Sequence, residues 1–168
     1  MKTTRFDELL RRLCAAGVEF IIVGGFAATV HGAGRSTPDL DVVYRRTPEN
    51  MLRVVRAFDV HQPYPRGAPP GLPFRWDERT LHFGTNFTLE TSLGLIDLLG
   101  EITGGGTYDQ LLPHTVTVEL FGCRCLCLDL QKLIATKRAV GRPKDFEAIA
   151  ELEIIRDEQK RDDSPSSQ

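Results

Sequence analysis

The 168-residue chain lacks both a strong excess of charge and a long apolar segment, and each absence excludes a class of protein. Its 21 Lys and Arg nearly balance its 23 Asp and Glu, so the formal charge of −2 draws the whole molecule neither to nucleic acid nor to an anionic membrane. No apolar run approaches the ~20 residues of a membrane span, and the N-terminus has no signal-peptide core. We therefore expect a cytoplasmic protein without membrane contacts, in which a local patch must hold any nucleic acid.

Cysteine is also scarce, and its placement argues against a metal or redox centre. Cys123, Cys125 and Cys127 alternate along a predicted strand, so their side chains share one face with Cα atoms ~6.6 Å apart. Zinc–thiolate bonds of ~2.3 Å need sulfurs closer together than a straight strand places them. We predict that these thiols, and Cys14 in the first helix, pack as small apolar groups in a reducing compartment. A zinc or redox protein built on the cysteines remains a rival hypothesis.

The apolar periodicity indicates a single α+β domain over residues 1–155, followed by a polar tail, 156–168, that we expect to be disordered. It predicts helices within residues 4–17, 26–31, 48–58, 130–140 and 143–155, and strands at 19–23, 40–44, 85–91, 95–99, 115–120 and 123–128. Five prolines prevent residues 61–76 from forming a central strand. That segment is either a loose connection or a substrate-facing loop, in which Arg66, Arg75, Tyr64 and Trp76 are residue types that bind nucleic acid.

The stretch from Ile21 to Val43 carries the residues that indicate chemistry. Gly24 and Gly25 follow a predicted strand, allow a sharp turn and let a ligand approach the backbone, and the N-terminus of the helix that follows attracts phosphate. Asp39 and Asp41 lie two apart on the next strand, so their side chains share a face ~6.6 Å apart. From there they can converge on a pair of metal ions, which sit roughly 3.5–4 Å apart in two-metal sites. The combination predicts nucleotide chemistry.

This stretch resembles the signature of the DNA polymerase beta nucleotidyltransferase superfamily. The matching motif is Val23-Gly24-Gly25, a thirteen-residue spacer, and Asp39-Leu40-Asp41-Val42. Together with His31-Gly32, Arg35 and Thr37, it is similar to the minimal and abortive-infection toxin-like nucleotidyltransferases of bacteria and archaea. The resemblance covers roughly residues 6–155 and implies a small mixed β-sheet flanked by helices, with a C-terminal helical pair.

Further site residues are predicted from the same resemblance. The family places a third carboxylate on a later strand of the sheet, and Asp97 suits this position because a carboxylate in the apolar run 95–99 is costly to bury unless it is paired or binds metal. Exposure of Asp97 on an edge strand is the alternative, and Glu90 is the fallback ligand. Arg35 either contacts phosphate or braces its loop, and Thr37 shapes the approach to the strand.

Residues 137–145 are similar to the C-terminal Lys…Arg-x-Lys-Asp element of the toxin-like subgroup. Cations beside a triphosphate stabilise the charge of the transition state. Lys137 and Lys144 suit phosphate contacts, Arg142 can bind bidentately, and Asp145 holds one of these cations or serves the acceptor. The alternative is a solvated basic cluster without a ligand.

The resemblance implies an enzyme of the EC 2.7.7 type. In it, two Mg²⁺ ions (Mn²⁺ is possible) held by Asp39, Asp41 and Asp97 bind a nucleoside triphosphate such as ATP, with Lys137 assisting and the Gly24 and Gly25 amides facing the phosphates. The nucleoside monophosphate passes to a hydroxyl of RNA, protein or a small molecule, and a toxin–antitoxin or phage-defence system with a cognate partner is expected. Two rivals are a metal-dependent phosphohydrolase or nuclease and a catalytically inactive nucleotide-binding or antitoxin-like module.

Overall fold

A computed structural model describes residues 3–164 of the chain. The strands are β1 Phe20–Val23, β2 Asp39–Tyr44, β3 Tyr64–Pro65, β4 Asn86–Thr91, β5 Gly94–Leu99, β6 Glu101–Ile102, β7 Gly106–Thr107, β8 Thr115–Leu120 and β9 Cys123–Leu128. The helices are α1 Phe6–Ala15, α2 Gly24–Val30, α3 Pro48–Phe58, α4 Glu78–Phe83, α5 Tyr108–Leu111, α6 Leu130–Val140 and α7 Phe146–Asp162.

Seven of these strands form one mixed sheet in the order β3-β4-β5-β2-β1-β9-β8, and β6 pairs with β7 in a separate hairpin. β2 pairs antiparallel with β1 and parallel with β5, and β1 pairs parallel with β9. The remaining neighbours in the sheet pair antiparallel. Helices flank the sheet, and the long α7 is the last of the described elements. The predicted fold class is therefore confirmed.

Local sequence explains where the helices begin and end. Thr47 accepts a hydrogen bond from the Asn50 amide at the start of α3, with Pro48 in the first turn, where its missing N–H costs nothing. Asp129 accepts from the Lys132 amide in the same way at the start of α6. Gly141 ends α6 in the left-handed conformation with φ of 68°, which glycine adopts without strain.

The helices and strands differ from the expectation in several places. Helix α2 begins at Gly24 itself, and α4 was not predicted. Residues 61–76 contain β3 at the edge of the sheet, where Pro65 is tolerated because an edge strand needs fewer backbone donors. Helix α7 continues to Asp162, past the expected boundary at residue 155, and most of the added residues are Arg, Glu, Gln and Lys, which are good helix formers. Residues 165–168 of the predicted tail lie outside the described part of the chain.

The cysteines pack as the strand geometry predicted. All four are free thiols, and Cys125 and Cys127 are buried in the core. The Cys14 sulfur lies 3.9 Å from the Cys125 sulfur across the α1–β9 contact. Burial raises the pKa of Cys127 to about 12, so this thiol stays protonated at neutral pH. Within residues 3–164, no helix is long and apolar enough to cross a membrane.

Candidate active site

Three carboxylates converge at the middle of the sheet. The parallel register of β2 and β5 sets Asp41 beside Asp97 and Asp39 beside Leu95. One carboxylate oxygen from each of the three aspartates lies within 4.8 Å of the other two. This is the one cluster of three or more potential metal ligands found within residues 3–164. The convergence expected from the sequence is therefore present, and Glu90 lies exposed on β4 outside it.

Asp41 is the member of this triad whose ionisation the surroundings oppose most strongly. Burial, followed by the nearby charges of Asp39 and Asp97, raises the pKa of Asp41 to about 8. Its Oδ1 atom is buried and has no hydrogen-bond partner among the described residues. Burial also raises the pKa of Asp97, against the opposing charge of Arg66. The site thus offers three carboxylate groups, one of which has a buried oxygen without a hydrogen-bond partner. Carboxylate oxygens are the ligands that a hard divalent cation such as Mg²⁺ or Mn²⁺ prefers.

The two glycines are required here because the site lies directly against their backbone. Gly24 has φ of +68°, and a Cβ atom at this position would lie 2.2 Å from Asp41 Oδ2. A Cβ atom on Gly25 would lie 2.9 Å from Thr37 Oγ1. Any larger residue at either position would therefore displace a side chain of the site. Their contact with phosphate stays a prediction, and the seven-residue α2 is short for a strong dipole.

Two threonines fix the strands that carry the carboxylates. Thr37 Oγ1 donates to Asp39 Oδ1 at 3.0 Å and so orients that carboxylate. Thr4 Oγ1 donates to the Pro38 carbonyl and accepts from the Leu95 amide at 3.1 Å. Thr4 thus joins the starts of β2 and β5. The sequence analysis placed Thr37 at the approach to β2. The role of Thr4 depends on which strands are neighbours in the sheet, and no local sequence pattern indicates that.

Arg66 lies inside the site, which sequence reasoning missed. Its Nη2 atom is 2.8 Å from Asp97 Oδ1 and its Nη1 atom is 3.4 Å from Asp39 Oδ2. The sequence singled out Arg66 only as a residue type that binds nucleic acid. Its place beside the carboxylates follows from the pairing of β3 with β4, which no local pattern around residue 66 indicates.

Two cavities open beside the triad. The larger, of about 540 Å³, contains all three carboxylates and Gly25. Its basic lining residues are Arg35, Lys137, Arg142 and Lys144. The smaller, of about 290 Å³, shares Asp41 with it and has apolar walls formed by Leu99, Ile102, Leu133 and Val140. Lys137, Arg142 and Asp145 line both. The cluster from residues 137–145 is thus brought to the acidic triad, although its functional roles stay predictions.

Two of the predicted basic residues are paired within the protein. Arg35 Nη2 lies 2.6 Å from Glu147 Oε2, and Glu151 accepts a hydrogen bond from the Gly34 amide at 2.7 Å. These contacts favour the bracing role for Arg35. Arg142 Nε donates to Asp145 Oδ2 at 2.8 Å, as expected for a carboxylate that holds a cation in place.

The chain has the fold of nucleotidyltransferase-like proteins. It is similar to the crystal structure of an antigenic nucleotidyltransferase-like protein from Paracoccidioides brasiliensis, with a TM-score of 0.51 and 16% identity over 90% of this chain and 77% of that one. It is also similar to a candidate nucleotidyltransferase from Thermotoga maritima, with a TM-score of 0.49 and 14% identity over 92% of this chain and 89% of that one. No protein-family model matches the chain, and no curated protein does.

Proposed function

We propose that the protein is a metal-dependent nucleotidyltransferase that moves a nucleoside monophosphate from a nucleoside triphosphate to a hydroxyl group. The observation that carries this proposal is the convergence of Asp39, Asp41 and Asp97 within 4.8 Å, on the wall of a cavity that also contains basic residues. Carboxylates bind the cations, and basic side chains bind the phosphates that the cations leave uncompensated.

The residues divide into two groups in this proposal. Asp39, Asp41 and Asp97 would hold Mg²⁺ or Mn²⁺, two ions when the site is fully loaded. Such ions activate an acceptor hydroxyl and offset the charge of the leaving pyrophosphate. Lys137 and Lys144 line the larger cavity and supply the remaining positive charge for the triphosphate.

Arg142 and Asp145 act as a pair in the proposed phosphate binding. The Asp145 side chain is 9% exposed and accepts a hydrogen bond from the Arg142 guanidinium, so it fixes a cation that lines the cavity. The Arg35 pair with Glu147 fixes the loop between α2 and β2, so Arg35 and Thr37 shape the cavity wall.

The acceptor and the cellular role are proposed at a coarser level. The resemblance of residues 23–42 and 137–145 to the toxin-like subgroup supports a role in a toxin–antitoxin or phage-defence system with a cognate partner. Within the proposal the protein is cytoplasmic, and its acceptor is a hydroxyl of RNA, protein or a small molecule. The hydrolytic and inactive rivals use the same side chains, so transfer must be separated from them by experiment.

The test is incubation of the protein with each α-labelled nucleoside triphosphate and Mg²⁺, offering total RNA and lysate protein as acceptors. We expect the label on one acceptor class with the wild type, with no transfer by D39N or D41N and full transfer by D59N, an exposed aspartate on α3's C-terminal side. Label found only in free monophosphate identifies a phosphohydrolase, and absence of any turnover identifies an inactive module. Full transfer by D39N and D41N contradicts the proposal.

A further inference from the structure

The guanidinium of Arg66 lies against two of the three carboxylates of the triad. It lies 2.8 Å from Asp97 Oδ1 and 3.4 Å from Asp39 Oδ2. The Arg66 side chain is 26% exposed and each of the two carboxylates is 19% exposed, so water screens these contacts only in part. The pairing is therefore a substantial part of the electrostatics of the site.

The backbone of Arg66 is fixed, whereas its side chain is incompletely bound. The Arg66 amide donates to the Thr88 carbonyl at 2.9 Å, which extends the β3–β4 pairing, and Nη2 also donates to the Leu89 carbonyl at 3.1 Å. The buried Nε atom has no acceptor among residues 3–164. Because a buried donor without a partner is costly, the guanidinium is held less firmly than a fully satisfied one would be. Withdrawal of the side chain from the triad would leave the backbone bond between Arg66 and Thr88 intact.

A divalent cation at the triad and this guanidinium would both draw on the carboxylates of Asp39 and Asp97. Both are positive, and two cations a few ångströms apart repel strongly where water is partly excluded. Asp41 Oδ1 is the oxygen of the triad that is buried without a partner, whereas Asp39 Oδ2 and Asp97 Oδ1 are used by Arg66.

We propose that Arg66 is a resident counter-ion of the acidic site that competes with divalent cations for Asp39 and Asp97, so that full metal loading requires its guanidinium to withdraw. The inference rests on the metal site of the proposed function and adds a residue that controls it. In the metal-free protein Arg66 reduces the repulsion among three carboxylates. In the metal-bound protein the same charge opposes the ion.

A positioning role predicts the opposite sign. If Arg66 held Asp39 and Asp97 in the geometry that the metal needs, its removal would weaken metal binding, as loss of an outer partner of a metal ligand usually does. The direction of the change in affinity therefore separates the two roles.

The experiment measures Mn²⁺ binding to the full chain by titration calorimetry and by the electron paramagnetic resonance signal of free Mn²⁺. We expect R66Q to bind Mn²⁺ about tenfold more tightly than the wild type, since it removes a positive charge a few ångströms from the ion. R66K keeps the charge on a smaller head and should lie between the two. R75Q, which removes an exposed arginine of the same segment, should match the wild type. Equal or weaker Mn²⁺ binding by R66Q overturns the inference.

Thermal unfolding provides a second measurement that needs no transfer activity. Without metal, R66Q should melt below the wild type because the three carboxylates lose their counter-ion, and saturating Mn²⁺ should raise its melting temperature by more than it raises that of the wild type. If R66Q does not fold, R66K carries the same comparison. Wild-type Mn²⁺ binding without nucleotide transfer would refute the proposed function and leave this inference standing, whereas no Mn²⁺ binding by any variant would overturn both.

Discussion

Asp41 shows how the site combines buried charge with closely packed backbone. One of its carboxylate oxygens lies within 4.8 Å of an oxygen of Asp39 and of Asp97, and the carboxylate lies against Gly24, where a Cβ atom would clash with it. Water is excluded from one of its oxygens, and the neighbouring charges oppose ionisation. The metal-free protein therefore keeps a proton on Asp41 near neutral pH, which a divalent cation would have to release.

This proton makes stability depend on pH in a defined direction. The folded-state pKa of about 8 is raised above the ordinary value of 3.8, so the folded protein binds more protons than the unfolded chain between these values, and stability falls as pH rises through that window. We expect metal-free wild type to lose about 2–3 kcal/mol of unfolding free energy between pH 5.5 and 8 from this group. D41N should lose much less, as measured by urea unfolding.

The control for this prediction is D59N, which changes an exposed aspartate and should keep the wild-type slope. Metal must be removed with a chelator, because a bound cation would favour the ionised form of Asp41 and so remove this dependence from the pH window. Equal slopes for D41N and the wild type would show that Asp41 is not the titrating group.

Thr37 and Gly25 allow a second prediction at this scale. T37V removes the hydrogen bond to Asp39 Oδ1, and G25A places a methyl group 2.9 Å from Thr37 Oγ1 and pushes that hydroxyl aside. Both should weaken Mn²⁺ binding about tenfold, as expected for loss of a partner that orients a metal ligand. G34A should bind normally, because its methyl group would be 3.6 Å from the nearest atom. Normal affinity in T37V would contradict the orienting role.

The sequence predicted some of these residues and missed others for a physical reason. Asp39 and Asp41 could be predicted from the sequence because their spacing fixes a shared face within one strand. Asp97 could be predicted because it is an acidic residue that interrupts an apolar run. Arg66 and Thr4 act through the neighbours that the sheet gives them, and these contacts span 31 and 91 residues of chain. No local period encodes such separations.

At the scale of elements, the parallel pairing of β2 with β5 assembles the triad. Short turns at residues 92–93 and 121–122 join β4 to β5 and β8 to β9 as antiparallel hairpins, the pairing that so short a connection allows. Neither hairpin says that β5 lies beside β2 or that β9 lies beside β1. Those parallel pairings need long crossovers, so no local pattern predicted the order of the strands. The family resemblance implied only a small mixed sheet with a third carboxylate on a later strand.

Helix α6 brings a cation to the site, and this allows a prediction for the element. Lys137 lines both cavities from the last turn of α6. K137A should lower kcat/KM for nucleoside triphosphate by about tenfold to hundredfold, the effect of losing one charge-assisted hydrogen bond. K132A is the matched control, because five residues along a helix turn the side chain by about 140° to another face. A similar loss in both variants would indicate a general effect of charge on α6.

At the scale of the whole molecule, the site lies on central strands of the sheet, and the C-terminal helices α6 and α7 border it. β2 has β5 on one side and β1 on the other, and α6 and α7 bring residues 137–152 to the cavity. The Glu151 contact with the Gly34 amide joins α7 to the loop before β2. A ligand at the triad is therefore coupled to the packing of the domain as a whole.

This coupling predicts that divalent cations stabilise the folded chain. A ligand at one hundred times its dissociation constant adds about 2.7 kcal/mol to the unfolding free energy. For a chain of this length each kcal/mol shifts the melting temperature by about 2–4 °C, so saturating Mn²⁺ should raise it by roughly 5–10 °C. D97N removes one ligand from β5 and should show a much smaller rise, and KCl of equal ionic strength should leave the wild type unchanged. An equal rise in D97N and wild type would place the stabilising ion outside the triad.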